Sequence, residues 1–146
     1  MAFHLAQANL SMLRHPPSAP QSAEYAAALD HVNSLADRVP GFVWRHRTSL
    51  SEDERLVLNL SVWQAYLPLH EYTYRTAHGH FVRRRHEWFD RVPQPSTVLW
   101  WLPAGEHPTA EQAMARLRHL RSHGPTPKAF SLRVRYTPEG TRERPR

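Results

Sequence analysis

Hydrophobic and polar positions alternate from the start of the chain. Phe3 and Leu5 share one side of an extended segment with Gln7 and Asn9, while Ala6, Ala8 and Leu10 share the other. A period of two predicts a strand over Phe3–Leu10. After a loop holding Pro16, Pro17 and Pro20 the period changes. Tyr25, Leu29, Val32, Ala36 and Val39 recur at alternating spacings of four and three, one helical stripe between about Gln21 and Arg38. Pro40-Gly41 ends it. Phe42–Arg47 and Leu56–Trp63 read as two strands joined by the polar turn Ser49–Glu54, a hairpin. In the second of these, Leu56, Leu58, Leu60 and Val62 form an apolar face, and Val57, Asn59, Ser61 and Trp63 lie opposite.

Leu67 to Arg91 reads as helix in two pieces with a break at Gly79. Thr97–Leu102 carries bulky residues on both faces, as a central covered strand does. Thr109 with Gln112 three residues on is a capping box. It opens a helix whose inner face is Ala113, Met114, Leu117 and Leu120, and Gly124-Pro125 stops it. Ala129–Tyr136 reads as a last strand, and 137–146 as a disordered basic tail beyond a single domain of residues 1–136. The order β-α-β-β-α-β-α-β is α+β. Its first six elements are the split β-α-β pattern of a ferredoxin-like sandwich, followed by an extra C-terminal helix and strand. Such a sheet has helices on one face. Covering the other by a second subunit makes a homodimer the expectation.

Composition narrows the class. With 146 residues the chain can bury a proper core. It has no apolar run of roughly 18 residues, so no membrane span is expected. Its start lacks the basic and apolar regions of a signal peptide. The absence of cysteine removes thiol catalysis, disulfides and Cys-based zinc sites, and fits a cytoplasmic location. The net charge of +6 invites a nucleic-acid reading. But the basic residues, every one but Lys128 an arginine, are scattered, and no nucleic-acid-binding motif accompanies them. A nucleic-acid partner is not expected.

Candidate chemistry concentrates between Trp63 and Gly105, where four of the five tryptophans lie. On a helical wheel centred on Arg85, Phe81, Val82, Trp88, Phe89 and Val92 fall within about 60°. His78 joins that face if the helix runs through Gly79. Arg83, His86, Glu87 and Asp90 point away, and Arg84 and Arg91 flank. An inward arginine can bind a carbonyl or anionic oxygen, and an inward histidine can act as acid, base or ligand. The alternative is structural: an arginine stem packed on Trp88 and a buried imidazole satisfied by a carbonyl. His78 and Arg85 are the candidate catalytic pair. Trp63, His70, Tyr74, Arg84, Trp88 and Trp101 are candidate substrate contacts. Trp100 and Trp101 face opposite ways along their strand, so only one can line a given pocket. His78 and His80 diverge on either a helix or a strand, and no metal is expected there.

Several short motifs together identify a resemblance. They are His-Leu-Ala-Gln-Ala-Asn from His4, Ser-Val-Trp ending at Trp63, the spacing Tyr74 to His78, and Arg-Arg-x-x-Trp-Phe from Arg84. They continue with Leu-Trp-Trp-x-Pro-Ala-Gly from Leu99 and Gly-Pro-x-x-x-Ala-Phe from Gly124. From about His4 to Leu132 the chain resembles the bacterial domain-of-unknown-function family 3291. That family is similar to the antibiotic-biosynthesis monooxygenases of the dimeric α/β barrel superfamily. The resemblance implies a ferredoxin-like protomer pairing sheet to sheet. It carries no established catalytic set. The wider superfamily holds cofactor-free oxygenases of aromatic polyketides, haem proteins and non-catalytic binding modules. Three functions follow. One is an enzyme working without cofactor on an aromatic or polycyclic small molecule, with His78 taking a proton and Arg85 stabilising the anion. Another is a non-catalytic ligand-binding or biosynthetic accessory dimer. The third is a haem protein with His78 or His70 as axial ligand.

Overall fold

The strand that opens the chain becomes the middle of the sheet. The computed structural model describes residues 1–77 and 80–144. In it β1 (Phe3–Leu13) pairs antiparallel with β3 (Leu56–Trp63) on one side and β5 (Thr97–Pro103) on the other. The two-residue β4 (Phe89–Asp90) continues the β5 edge at Met12 and Leu13, and β2 (Phe42–Ser49) pairs outside β3. All pairings are antiparallel, and the order β2-β3-β1-β5 is that of a ferredoxin-like fold.

Helices cover both faces. α1 (Ala23–Arg38) uses the expected stripe, burying Tyr25, Val32 and Ala36. It stops at Pro40-Gly41, where Gly41 has φ 97° and a Cβ would clash with the Pro68 ring, so the turn needs glycine. α2 (Tyr66–Ala77) and α3 (His80–Trp88) fall in the stretch read as helix, and the break expected at Gly79 lies outside the described residues. α1, α2 and α3 contact one another, on the sheet face where β1 presents Leu5, Gln7, Asn9, Ser11 and Leu13.

The opposite face is apolar. It holds Ala6, Ala8, Leu10, Leu58, Leu60, Val62, Val98 and Trp100, all buried in one cluster with Ala113, Leu117 and Leu120 of α4 (Ala110–His123). α4 starts at the expected capping box, with the Thr109 hydroxyl accepting from Gln112 N–H and the Gln112 side chain accepting from Thr109 N–H. The sheet face expected to need a second subunit is therefore covered within the chain. The extra helix folds back over it because its Ala113, Leu117 and Leu120 stripe finds there the apolar surface that it must bury.

The C-terminal segment also departs from expectation. The predicted strand Ala129–Tyr136 pairs with β5 only where Phe130 and Leu99 exchange hydrogen bonds of 2.9 Å. At Ser131 the chain turns: Val134 N–H donates to Ser131 Oγ, and Ser131 N–H to the Val134 carbonyl. That local hydrogen bonding takes the place of a ladder. Residues 137–144, expected as a disordered tail, are tied down instead. Glu143 N–H donates to the Arg135 carbonyl, Thr137 N–H to the Thr141 carbonyl, and the Arg135 and Glu143 side chains pair at 3.1 Å.

The α4 contact sets a stability prediction. Leu117 is 1% exposed at the centre of that cluster. Leu117→Ala removes apolar contact and leaves a cavity, at a cost of about 2–5 kcal/mol. Urea unfolding monitored by tryptophan fluorescence will read this as a lower midpoint with the slope retained.

Candidate ligand-binding site

Polar residues on a helix-covered face leave a gap. In the middle of the α1/α3 side, the residues facing the helices are Gln7, Asn9 and Ser11 from β1 and Asn59 and Ser61 from β3. These short polar groups cannot pack with the apolar stripe of α1, and a cavity of about 440 Å³ remains between sheet and helices. That is the size of a small-molecule site. The floor is held by side-chain hydrogen bonds. The Trp63 indole N–H donates to Ser61 Oγ at 2.9 Å, and Ser61 donates to Gln7 Oε1 at 3.0 Å. Ser11 donates to Asn9 Oδ1 at 2.9 Å, and the Asn9 amide to Thr97 Oγ1 at 2.7 Å. Gln7 and Asn9 are thus fixed in orientation by neighbours within the floor.

Two aromatic groups wall the cavity. Phe42, Trp63 and Tyr72 form one, with ring centroids 5.2 Å (Phe42–Trp63) and 5.3 Å (Trp63–Tyr72) apart. Tyr25 and Phe89 belong to the other, 5.4 Å apart, with Trp88 packed 5.8 Å from Tyr25 behind them. Leu29, Val32 and Ala36 of α1 complete an apolar roof.

The charge is one-sided. Arg45, Arg47 and Arg85 all line the cavity, and among its described lining residues there is no carboxylate. Asp37 pairs with Arg45 from outside. The Arg47 guanidinium lies 5.4 Å over the Tyr25 ring. Its Nε and Nη2 are closed off from solvent with no hydrogen-bond partner. Burial pushes the Tyr25 phenol pKa up, against the lowering effect of the Arg47 charge and of a side-chain hydrogen bond between Arg47 and the phenol. Burial likewise pushes Tyr72 to about 12, outweighing the opposing pull of Arg45. Both phenols keep their protons at neutral pH, as donors rather than bases.

The expected site residues scatter around this cavity. Trp63 and Arg85 line it. Arg85 is more exposed than its central place on the helical wheel predicts. The short α3 docks on α1 through Trp88, and this rotates Arg84 rather than Arg85 toward the packed side. Arg84 lies 5.1 Å over the Trp88 ring and pairs with Glu24 and Glu87, an interhelical tie outside the cavity lining. Trp88 is buried with Leu13, Tyr25 and Val57. Trp101 shares the sheet face of Trp63, on the far side of Leu5, and its indole donates to the Tyr136 carbonyl at 2.7 Å. His70 is exposed on α2 with its Nδ1 3.2 Å from the Tyr66 hydroxyl, and Tyr74 on the same helix is 64% exposed. His78 lies outside the described residues. The pattern of the chain did not single out Tyr25, Arg45 or Arg47 as site residues. A signal existed: polar residues on the faces of β1 and β3 that helices must cover. Among the described residues no cluster of three His, Asp or Glu side chains could hold a metal ion, and no helix is long and apolar enough to cross a membrane.

An open antiparallel sheet in ferredoxin-like order, with a polar-floored cavity under its first helices, defines a class of small α+β proteins. Within it, the chain belongs to the family described as Domain of unknown function (DUF3291), whose model matches residues 4–146. No curated protein sequence matches it. Among solved structures it is similar to a point mutant of SnoaB, a cofactor-independent oxygenase from Streptomyces nogalater. There the identity is 12%, the match covers 70% of this chain and 94% of that one, and the TM-score is 0.51. It is also similar to NE2512, a protein of unknown function from Nitrosomonas europaea, at 13% identity, 74% and 97% coverage and a TM-score of 0.54. Such likeness bears on the fold alone.

Tyr72 makes the cavity wall sensitive to alkali. In the folded chain it holds its proton to about pH 12, while unfolded it gives it up near 10.0. Between those values the folded state binds more protons, so stability is full below the lower value and falls as pH rises through the window. Urea midpoints measured from about pH 9 to 12 will decline, and Tyr72→Phe will flatten that decline. An equal decline in the variant would show that Tyr72 ionises in place.

Proposed function

We propose that this protein is a small-molecule enzyme that handles an aromatic or polycyclic substrate by proton transfer or cofactor-free oxygenation. The observation that carries the reading is the cavity: a rigid polar floor between two aromatic walls, with guanidinium groups at its side. Trp63 and its ring partners hold the substrate plane. Arg85 stabilises the enolate or phenolate that forms when the substrate loses a proton. His78 is the proposed base. In the oxygenation, the substrate anion itself reduces O2. One oxygen atom is kept on carbon and the other leaves as water, so no separate reductant is needed. The fold shared with a cofactor-independent oxygenase is in keeping with this, as analogy only. We further propose a homodimer in the cytoplasm. Because α4 covers the second sheet face, the pairing surface includes α4 or a sheet edge rather than bare sheet.

A second reading is favoured by one observation. The described cavity lining holds no carboxylate, and its one histidine, His46, is exposed and stacked on Trp44 on the Leu60 side of β2, so no described base faces the polar floor. The same cavity then belongs to a ligand-binding or accessory protein without turnover. The haem alternative requires an axial histidine. His70 lies outside the cavity lining with its Nδ1 against Tyr66, which leaves His78 to carry that reading. A haem titration without a Soret shift removes it.

Oxygen uptake with a panel of anthrones and polycyclic phenols, in chelator-treated buffer, separates the first two readings. Turnover that falls by about 10²-fold in kcat for Arg85→Gln, with KM little changed, is the expected result. Ligand binding with no oxygen uptake and no proton exchange at the substrate carbon would instead establish the non-catalytic protein.

A further inference from the structure

Gln7 is the floor residue whose hydrogen bonding is left half made. An indole N–H can only donate, so Ser61 Oγ accepts from Trp63 at 2.9 Å and gives its own proton to Gln7 Oε1 at 3.0 Å. This fixes which way the Gln7 amide faces, because the reverse orientation would leave the Ser61 proton without an acceptor. The Gln7 carbonyl is thereby engaged, and the two hydrogens of Nε2 have no partner among the described residues. Gln7 is only half-buried, its Nε2 is not sealed off by neighbours, and it lines the cavity from the sheet side. Its open donors therefore face the cavity. The other floor amides differ. Asn9 is engaged at both ends, through its nitrogen to Thr97 and its carbonyl to Ser11. Asn59 has neither end of its side-chain amide engaged by the described residues, so it can meet a donor or an acceptor by turning over. Gln7 is held in one orientation with both Nε2 hydrogens still to place.

We infer that Gln7 is a specificity residue of this cavity: its Nε2 donates to an acceptor oxygen of the ligand, a carbonyl joined to the ring system that lies on the Phe42–Trp63–Tyr72 wall. The wall and the donors are neighbours. Ser61 stands opposite Gln7 in the sheet, and Trp63 follows on the same face two residues along β3. A carbonyl brings acceptors and no donor, so it completes the Gln7 amide. An amine at the same place sets N–H against N–H, and leaves polar groups desolvated without a partner. The inference rests on the reading of this cavity as a site for an aromatic ligand, and narrows that ligand to one with an acceptor oxygen on its ring system. It concerns binding, so it applies with or without turnover.

The test is calorimetric titration of the whole chain with three bicyclic probes of similar shape: 1-tetralone, which accepts; 1-naphthylamine, which donates; and tetralin, which does neither. The ketone is expected to bind roughly 10-fold more tightly than the amine. Gln7→Glu keeps an acceptor for Ser61 and puts an oxygen in place of Nε2. It is expected to reverse that order, with circular dichroism and the urea midpoint confirming the fold. Gln7→Met, which has neither group, is expected to abolish the preference. Tetralin binding with no preference between ketone and amine in the unmutated protein would overturn the inference and leave the cavity reading intact. An unchanged preference in folded Gln7→Glu or Gln7→Met would also overturn it. So would an equal loss for all three probes in Gln7→Met, the mark of a residue that only supports Ser61. Should none of the probes bind, tetralin included, the inference fails together with the reading of the cavity as an aromatic site.

Discussion

The two faces of β1 organise everything else. As the central strand it must be covered on both sides, yet only one of its faces is apolar. Ala6, Ala8 and Leu10 are small enough for α4 to lie close over them, and Leu58, Leu60 and Val62 of β3 extend that surface. The other face alternates into Gln7, Asn9 and Ser11 between the apolar ends Leu5 and Leu13. The helices on that side dock at the ends, where Trp63, Leu69 and Ala36 pack near Leu5, and Tyr25 and Trp88 near Leu13. They span the middle without filling it. The cavity follows from a period of two on one strand.

That constraint explains which parts of the fold could be seen in the amino-acid pattern. Elements whose signal is local came through: the α1 stripe, the hairpin of β2 and β3, and the Thr109/Gln112 box. Elements that depend on competition between distant partners did not. α4 was readable as a helix, but its place over the second sheet face depends on which surface wins its apolar stripe. The segment after Phe130 has the residues of a strand, and Ser131 closes a turn there that composition alone does not reveal. The site shows the same division. Trp63 and Arg85 stood out by residue type and spacing. Arg47 sits in a strand beside the exposed basic residues Arg45 and His46, and only the register of β2 on β3, with Arg47 opposite Asn59, turns it toward the polar floor.

The position of Arg84 shows how neighbouring arginines divide their work. Arg84 is i−4 to Trp88, so its stem lies along the indole and its charge meets Glu24 of α1 and Glu87 of its own helix. Its guanidinium pKa is raised, chiefly by hydrogen bonding to Glu87 and then to Glu24. That tie holds α3 against α1. Arg85, one residue on and 100° around, has no such partner among the described residues and is presented to the cavity edge. A swap of roles between them would require the helix to rotate and Trp88 to leave its place beside Tyr25.

A buried polar floor and a guanidinium with two buried, unpartnered nitrogens are poor choices for stability alone. Replacing Asn9, Asn59 and Arg47 with apolar residues of similar volume would let α1 pack directly on β1 and β3, and such exchanges are often neutral or stabilising. The chain instead satisfies the floor internally, through Trp63 to Ser61 to Gln7 and through Ser11 to Asn9 to Thr97, and leaves the Arg47 Nε and Nη2 donors unpaired. The floor is rigid without Arg47, and Arg47 is held over Tyr25 without using the floor. An arrangement that spends its internal hydrogen bonds on fixing the floor of the cavity is preorganised for a bound partner.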